Sequence, residues 1–217
     1  MLPTFVIEKF LTGDEINHLV SLIKLKADKT FEDTSTYFDS GVNGKYSGKI
    51  VSNNYNWDYH NTPEIEKILT AKIEQAIGKK LKVVNAHILE SLVPYQLHTD
   101  VIYQEQQPNP EYTLLIPVDN FASHTVVFNE SWNHSNDFED YKKQYTGKTK
   151  LQLDPKFCAE YLSHLHPADL RYLTLQTVFP WKQGSLLAFD RRHFHCSDNY
   201  SKRGTTGKIA IILRTHG

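Results

Sequence analysis

The stretch Gly184 to Arg214 reads GSLLAFDRRHFHCSDNYSKRGTTGKIAIILR, and the spacing of its apolar residues decides the fold. Leu186 to Phe189 is a short unbroken apolar run that stops at Asp190, the pattern of a strand covered on both faces. A histidine-rich connection and a Gly/Ser/Thr-rich loop follow. The chain then enters a second apolar run with a cation at each end, Lys208 and Arg214. At the strand period of two, Lys208, Ala210, Ile212 and Arg214 share one face, while Ile209, Ile211 and Leu213 share the other. Two cations turned into an apolar interior need anionic partners, and a dicarboxylate would satisfy both.

Working outward, the same texture recurs at Leu81 to Ser91, Tyr112 to Val118, His124 to Phe128, Arg171 to Phe179 and Ser185 to Phe189, each bounded by Pro, Asn, Asp or Gly. Many short strands without helices between them predict a β-sandwich or barrel. Upstream, Phe5-Val6-Ile7 reads as a strand. Thr12 and Glu15 form a capping box that opens a helix with Ile16, Leu19, Val20 and Ile23 on one stripe. Thr62-Pro63 supplies the N-cap and first turn of a second helix, with Ile65, Ile68, Leu69, Ile73, Ala76 and Ile77 on its apolar face and Gly78 at its end. Between them, Phe31 to Asn61 is polar and aromatic without a period, mostly loop with one or two strands. The expectation is one domain over 1–217: a strand and helices in 1–80 packed on a barrel core in 81–217. An insertion at 129–166, with a helix opened by Asp154-Pro155 carrying Phe157, Tyr161 and Leu165, is a candidate lid.

Composition excludes several classes. At 40% hydrophobic and 23% charged residues the chain can bury a core, and a net charge of −1 disfavours nucleic acid. Two cysteines without a CxxC argue against a disulfide scaffold or structural zinc module and favour a reducing, cytoplasmic compartment. No apolar run is long enough for a membrane span.

The chemistry lies in the histidines. His98-Thr99-Asp100 puts an imidazole and a carboxylate on one side of an extended segment, where both can reach one metal ion. Eleven histidines make such a pair easy to meet by chance, so its weight depends on a third ligand from a distant strand. Two histidines and one carboxylate form the facial donor set of non-haem Fe(II) oxygen chemistry. His193 and His195 both follow the strand ending at Asp190, and spacing leaves either available. Used together with a following Glu they would instead make a cupin-like metal barrel, an isomerase or ligand-binding module; no Glu follows His195. His164-Leu165-His166 has no acid at a fitting distance, and His87 and His124 read as sheet residues.

The distal stretch resembles the Fe(II)/2-oxoglutarate-dependent dioxygenases. In their phytanoyl-hydroxylase-like and prolyl-hydroxylase-like branches the pattern runs G-x-L-x-x-F-D-x-R-x-x-H, then N-x-S and a basic residue opening the last strand. Gly184, Phe189, Asp190, Arg192, His195, Asn199, Ser201 and Lys208 follow it, and FVIEKFLTGDEINHLVSLI resembles the start of the prolyl-hydroxylase-like branch. The resemblance implies a mainly β fold with flanking helices, a double-stranded β-helix or jelly-roll barrel. It implies Fe(II) held by His98, Asp100 and His195, with His193 a bystander. It further implies 2-oxoglutarate as co-substrate, O2 as oxidant, hydroxylation of a substrate, and release of succinate and CO2. Lys208 takes the position of the co-substrate anchor, although many members carry Arg there and closer to the histidine. Arg214 resembles a second, inner arginine found in some nucleic-acid demethylase branches. Asn85, Tyr95 and Tyr103 are candidates for helping to hold the co-substrate. The expected partner is a small-molecule or peptidyl substrate.

Overall fold

A computed structural model describes residues 2–26, 28–34, 50–101, 112–132, 138–144 and 153–216. Among these residues the strands form two antiparallel sheets. In the larger, β1 (Phe5–Ile7), β8 (Leu186–Asp190), β5 (Tyr112–Pro117), β10 (Lys208–His216), β4 (Lys82–Ser91), β3 (Ile50–Asn56) and β2 (Asp28–Thr34) lie side by side in that order; the smaller is β7 (Leu175–Pro180), β6 (His124–Ser131) and β9 (His193–Ser197). Every residue of β5 and β8 is buried, the environment that unbroken apolar runs require. Leu115, Val127, Phe179, Trp181, Leu187, Phe189, Ala210 and Ile212 join the two sheets in one core. On the outer side of the larger sheet, Leu114, Ile116, Ile211 and Leu213 pack with Ile16, Leu19 and Ile23 of α1 (Gly13–Lys26) and Ile65, Leu69 and Ile73 of α2 (Pro63–Ile77). The period-two division of β10 is therefore real. This is the mainly β jelly roll with flanking helices that the sequence implied. No helix among the described residues is long and apolar enough to cross a membrane.

The capping box closes as expected: Glu15 Oε2 accepts from the Thr12 backbone N–H at 2.9 Å, and Thr12 Oγ1 accepts from the Glu15 N–H at 3.2 Å. Thr62 differs. Its hydroxyl donates back to the Asp58 and Tyr59 carbonyls at 3.0 and 2.9 Å instead of capping α2. Gly78 ends α2 at φ 72°, a conformation that favours glycine.

The one or two strands expected within 31–61 are β3 and the end of β2, while β9 was not expected from the sequence. β3 has no apolar period because its inward residues are polar, with Ser52 and Asn54 buried. β9 is too short and too rich in histidine to read as apolar, yet all five of its residues are buried. Conversely, Arg171 to Thr174 is not strand; it follows the short helix α5 (Pro167–Leu170), and β7 begins at Leu175.

The described part of the insertion packs on the small sheet. Trp132, Phe138 and Tyr141 of and around α3 (Phe138–Gln144), with Leu162 and Leu165 after α4 (Pro155–Tyr161), pack on Val126, Phe128, Phe194 and Cys196 of β6 and β9. Because Val127 and His195 face the interior, these residues make a second hydrophobic core on the outside of the small sheet. Asp154 caps α4 as expected, accepting from the Lys156 N–H at 2.9 Å, and Phe157 stacks on Tyr161. Leu165 lies beyond the helix.

Candidate metal centre

Backbone pairing assembles the site. The His98 N–H donates to the His195 carbonyl at 3.0 Å and the His195 N–H donates to the His98 carbonyl at 2.9 Å, so residue 98 adds one rung to the free edge of β9. Two residues on, the Asp100 N–H donates to the Arg191 carbonyl at 2.9 Å. These bonds bring one ligand atom from each of His98, Asp100 and His195 within 4.8 Å of one another. His193 stays out of the group; its Nε2 lies 3.5 Å from Nε2 of Gln176 on β7.

Both imidazoles are held in the same tautomer. His98 Nδ1 donates to the Gln96 carbonyl at 2.8 Å, and His195 Nδ1 donates to the His193 carbonyl at 3.0 Å. A carbonyl only accepts, so the proton sits on Nδ1 and the Nε2 lone pair is free, the usual arrangement behind a metal-bound histidine. Burial drives the His195 imidazole down to about 4, with His98 adding to the effect, which keeps it neutral. Burial would push the Asp100 carboxyl up, but the Arg214 guanidinium, His195, His98 and Thr113 together hold it well below the usual carboxylate range. Arg214 Nη2 donates to Oδ1 at 3.2 Å and the Thr113 hydroxyl donates to Oδ2 at 2.6 Å. The donor set thus fits a divalent ion: two imidazoles with free Nε2 lone pairs and one carboxylate kept ionised.

No protein-family model matches the sequence, and no curated protein is similar to it. Solved structures do match. The 2-oxoglutarate-dependent epimerase SnoN from nogalamycin biosynthesis aligns over 98% of this chain and 78% of its own, with TM-score 0.58 at 11% identity. HygX from Streptomyces hygroscopicus, solved with nickel and 2-oxoglutarate, aligns over 98% and 82% with TM-score 0.54 at 10% identity. EctD from S. alaskensis, solved with 2-oxoglutarate and 5-hydroxyectoine, aligns over 99% and 72% with TM-score 0.52 at 12% identity. What this chain shares with them is the fold.

Beyond the triad, Lys208 is 1% exposed and its Nζ has no hydrogen-bond partner among the described residues. It sits 3.8 Å from the Trp181 ring centroid and 5.2 Å from that of Tyr200. Burial drives this ammonium down to about 7, with Asp198 opposing. An orphan cation stacked on aromatic rings in the barrel is the feature a carboxylate would complete. Tyr95 packs its ring against His98 at 5.5 Å and its hydroxyl lies 2.8 Å from Ser52 Oγ. Asn85 is level with Arg214 on the adjacent strand, exposed, with Oδ1 3.1 Å from His87 Nδ1. Tyr103 lies outside the described residues.

Two residues near the centre were not singled out from sequence. His87, read as an ordinary sheet residue, is buried within electrostatic reach of Arg214 and Asp100, and burial drives its imidazole down to about 4. Its signal was register: β4 pairs His87 with Ile212, an inward residue of β10. Arg191 is also buried and interacts electrostatically with Arg214 and Asp100. Two of the residues that served as pattern markers, Asp190 and Asn199, have structural partners. Asp190 accepts from Arg192 Nε at 2.8 Å, from the Arg192 N–H at 3.1 Å and from the Leu2 N–H at 3.1 Å, tying the β8–β9 turn to the N-terminal segment. Asn199 Nδ2 donates to Ser163 at 2.9 Å.

Proposed function

We propose that this protein binds Fe(II) through His98 Nε2, Asp100 and His195 Nε2, takes 2-oxoglutarate and O2 as co-substrates, and oxidises a small-molecule substrate. The observation that carries the reading is the coexistence, in one barrel, of the metal-competent triad and an unpartnered buried ammonium at Lys208. Bound iron and co-substrate supply the oxidising power, with 2-oxoglutarate converted to succinate and CO2. The chain's own residues orient and shield. His98 and His195 present fixed lone pairs, Thr113 and Arg214 hold the carboxylate, and the Phe189 ring, 4.7 Å from His195, walls the site from water. Lys208 takes the distal carboxylate of the co-substrate in a charge-assisted hydrogen bond.

A small-molecule substrate is favoured because SnoN has been crystallised with nogalamycin RO and EctD with 5-hydroxyectoine. Hydroxylation is the outcome we assign, although SnoN is an epimerase and SnoK a carbocyclase on the same fold; the fate of the substrate depends on which of its bonds faces the metal. A cupin-like binding module would use His193 together with His195, and His193 is not in the cluster. Purified protein with Fe(II) should convert 2-oxoglutarate to succinate slowly without any added substrate, and His195→Ala should abolish that turnover. Equal turnover in the variant would remove the assignment.

A further inference from the structure

The two histidines of the triad are held unequally. His195 lies within β9, paired to β6, and is buried, with the ring of the buried Phe189 against it at 4.7 Å. His98 lies outside the strands, joined to β9 by an isolated bridge, and is only partly buried. Its backbone bonds fix where its Cα sits but leave the side-chain torsions open. The bond from Nδ1 to the Gln96 carbonyl is local, reaching two residues back along the same segment. Among the described residues two rings meet the His98 imidazole. One is His195, at 4.2 Å and itself a ligand; the other is Tyr95, at 5.5 Å and tilted by 47°.

Tyr95 reaches from that segment to the larger sheet. Its hydroxyl is 2.8 Å from Oγ of Ser52 on β3, and Ser52 is 0% exposed and also accepts from Asn54 Nδ2 at 3.4 Å. The tyrosine is only partly buried, against the small cluster of Val51 and Val93. Packing therefore holds it less firmly than it holds Phe189, and a hydroxyl bonded to a buried partner supplies the missing constraint. The main chain is tied at the other side, where the Ser197 N–H donates to the Tyr95 carbonyl at 3.1 Å. Strand register sets Ser52 opposite Ser91, and Ser91 opposite Lys208. The tyrosine thus links a metal ligand to the rung of the larger sheet that carries Lys208.

We propose that Tyr95, anchored through its hydroxyl by Ser52, is the positioning residue that fixes the His98 imidazole with Nε2 turned toward Asp100 and His195. The inference rests on the metal centre proposed above. In this role the hydroxyl serves Ser52 and not the co-substrate. Without the ring the imidazole turns about its own side-chain bonds, and a ligand that must be ordered as the metal arrives binds it less tightly. Without the hydroxyl alone, the ring stays in place and loses only its tether.

The test combines Fe(II) affinity by chelator competition, the visible absorption of Co(II)-substituted protein, and anaerobic calorimetric titration with 2-oxoglutarate. Tyr95→Leu should weaken Fe(II) roughly tenfold, the lower end for losing a group that orients a metal ligand. It should also shift the Co(II) bands, which report ligand geometry and which a general loss of stability does not move. Tyr95→Phe keeps the ring and should stay within about threefold of wild type, as for one lost hydrogen bond. Ser52→Ala breaks the same bond, so it should match Tyr95→Phe, and the double variant should add nothing further. In metal-free protein the 1H resonances of the His98 ring should lose the shift due to the tyrosine ring in Tyr95→Leu and keep it in Tyr95→Phe. Unaltered Fe(II) affinity and Co(II) absorption in Tyr95→Leu overturn the inference. So does a loss of about tenfold in 2-oxoglutarate affinity in Tyr95→Phe with iron binding intact, which would make the hydroxyl a co-substrate contact. Should Tyr95→Leu fail to fold, Tyr95→Phe and Ser52→Ala decide between them, and unequal effects on the Co(II) bands overturn the inference. His98→Ala separates the two readings. If it leaves Fe(II) affinity unchanged, the metal centre itself falls; if it abolishes Fe(II) binding while Tyr95→Leu changes nothing, only the role of Tyr95 falls.

Discussion

The two ends of β10 carry one cation each on the same inward face, and they are solved differently. At one end Arg214 finds its anion in the chain, donating to Asp100. At the other, Lys208 finds aromatic rings, but no hydrogen-bond acceptor among the described residues. A cation that the fold pairs with its own carboxylate has its partner within the chain; a buried cation without a hydrogen-bond partner is the one that an arriving carboxylate would satisfy. On the function proposed here, Arg214 belongs to the metal end and Lys208 to the ligand end of one strand, though sequence spacing treats them alike.

The largest effect expected from that division is on co-substrate binding. Lys208→Met should weaken 2-oxoglutarate by about 100-fold, within the range for truncating one partner of a buried charge pair, while Fe(II) affinity measured by competition with a chelator stays the same. A parallel loss of both would merge the two ends into one site.

The same variant should make the protein more stable. Burial lowers the Lys208 ammonium to about 7 in the folded chain, against about 10.4 for an unfolded lysine. Between these values the unfolded state binds more protons, so stability rises with pH through that window, and the full penalty of the buried charge is present below it. Lys208→Met removes the penalty. Thermal unfolding should therefore show a midpoint several degrees higher at pH 6, with the gap narrowing by pH 9.5. A variant that loses ligand and gains stability is the signature of a functional strain; a destabilised variant would mean that the lysine is packed for structure.

How much of this was legible follows from which residues carry apolar patterning. The alternation of β10, the runs of β5 and β8 and the stripes of α1 and α2 follow directly from hydrophobic burial, so a β-sandwich or barrel with flanking helices was readable, and the resemblance narrowed it to the jelly roll. The pair His98 and Asp100 was readable because it is local; between His193 and His195 the spacing was silent, and only the resemblance pointed to His195, the histidine that joins the cluster. What remained hidden is polar and inward. Ser52, Asn54 and His87 line the interior without disturbing any hydrophobic period, and only strand register brings them there. The insertion was ambiguous for the opposite reason: its aromatic residues do not say where they pack until β6 and β9 are seen to present Val126, Phe128 and Phe194 on their outer face.

At the metal end, Arg214→Met should weaken Fe(II) binding by about tenfold, the usual scale for losing a partner of a metal-bound carboxylate, and should change 2-oxoglutarate affinity less than Lys208→Met does. Removing the guanidinium deprives Asp100 of the leading influence that holds its carboxyl down, so the acid limit of iron binding should move to higher pH. If Arg214→Met has the greater effect on 2-oxoglutarate, the anchor is at the wrong end of the strand.

The smallest effect sharpens the boundary between the ends. Asn85 pairs with Arg214 across the β4–β10 ladder, whereas Lys208 pairs with Ser91. Six residues of strand separate the two positions on β4, about 20 Å at the usual rise per residue. Asn85 is also exposed, and its side-chain oxygen is engaged with His87. Asn85→Ala should therefore change 2-oxoglutarate affinity by less than about twofold, read by the same calorimetric titration. A tenfold loss would mean that the co-substrate reaches past the metal to the Arg214 end, and that β10 does not divide its two cations between different tasks.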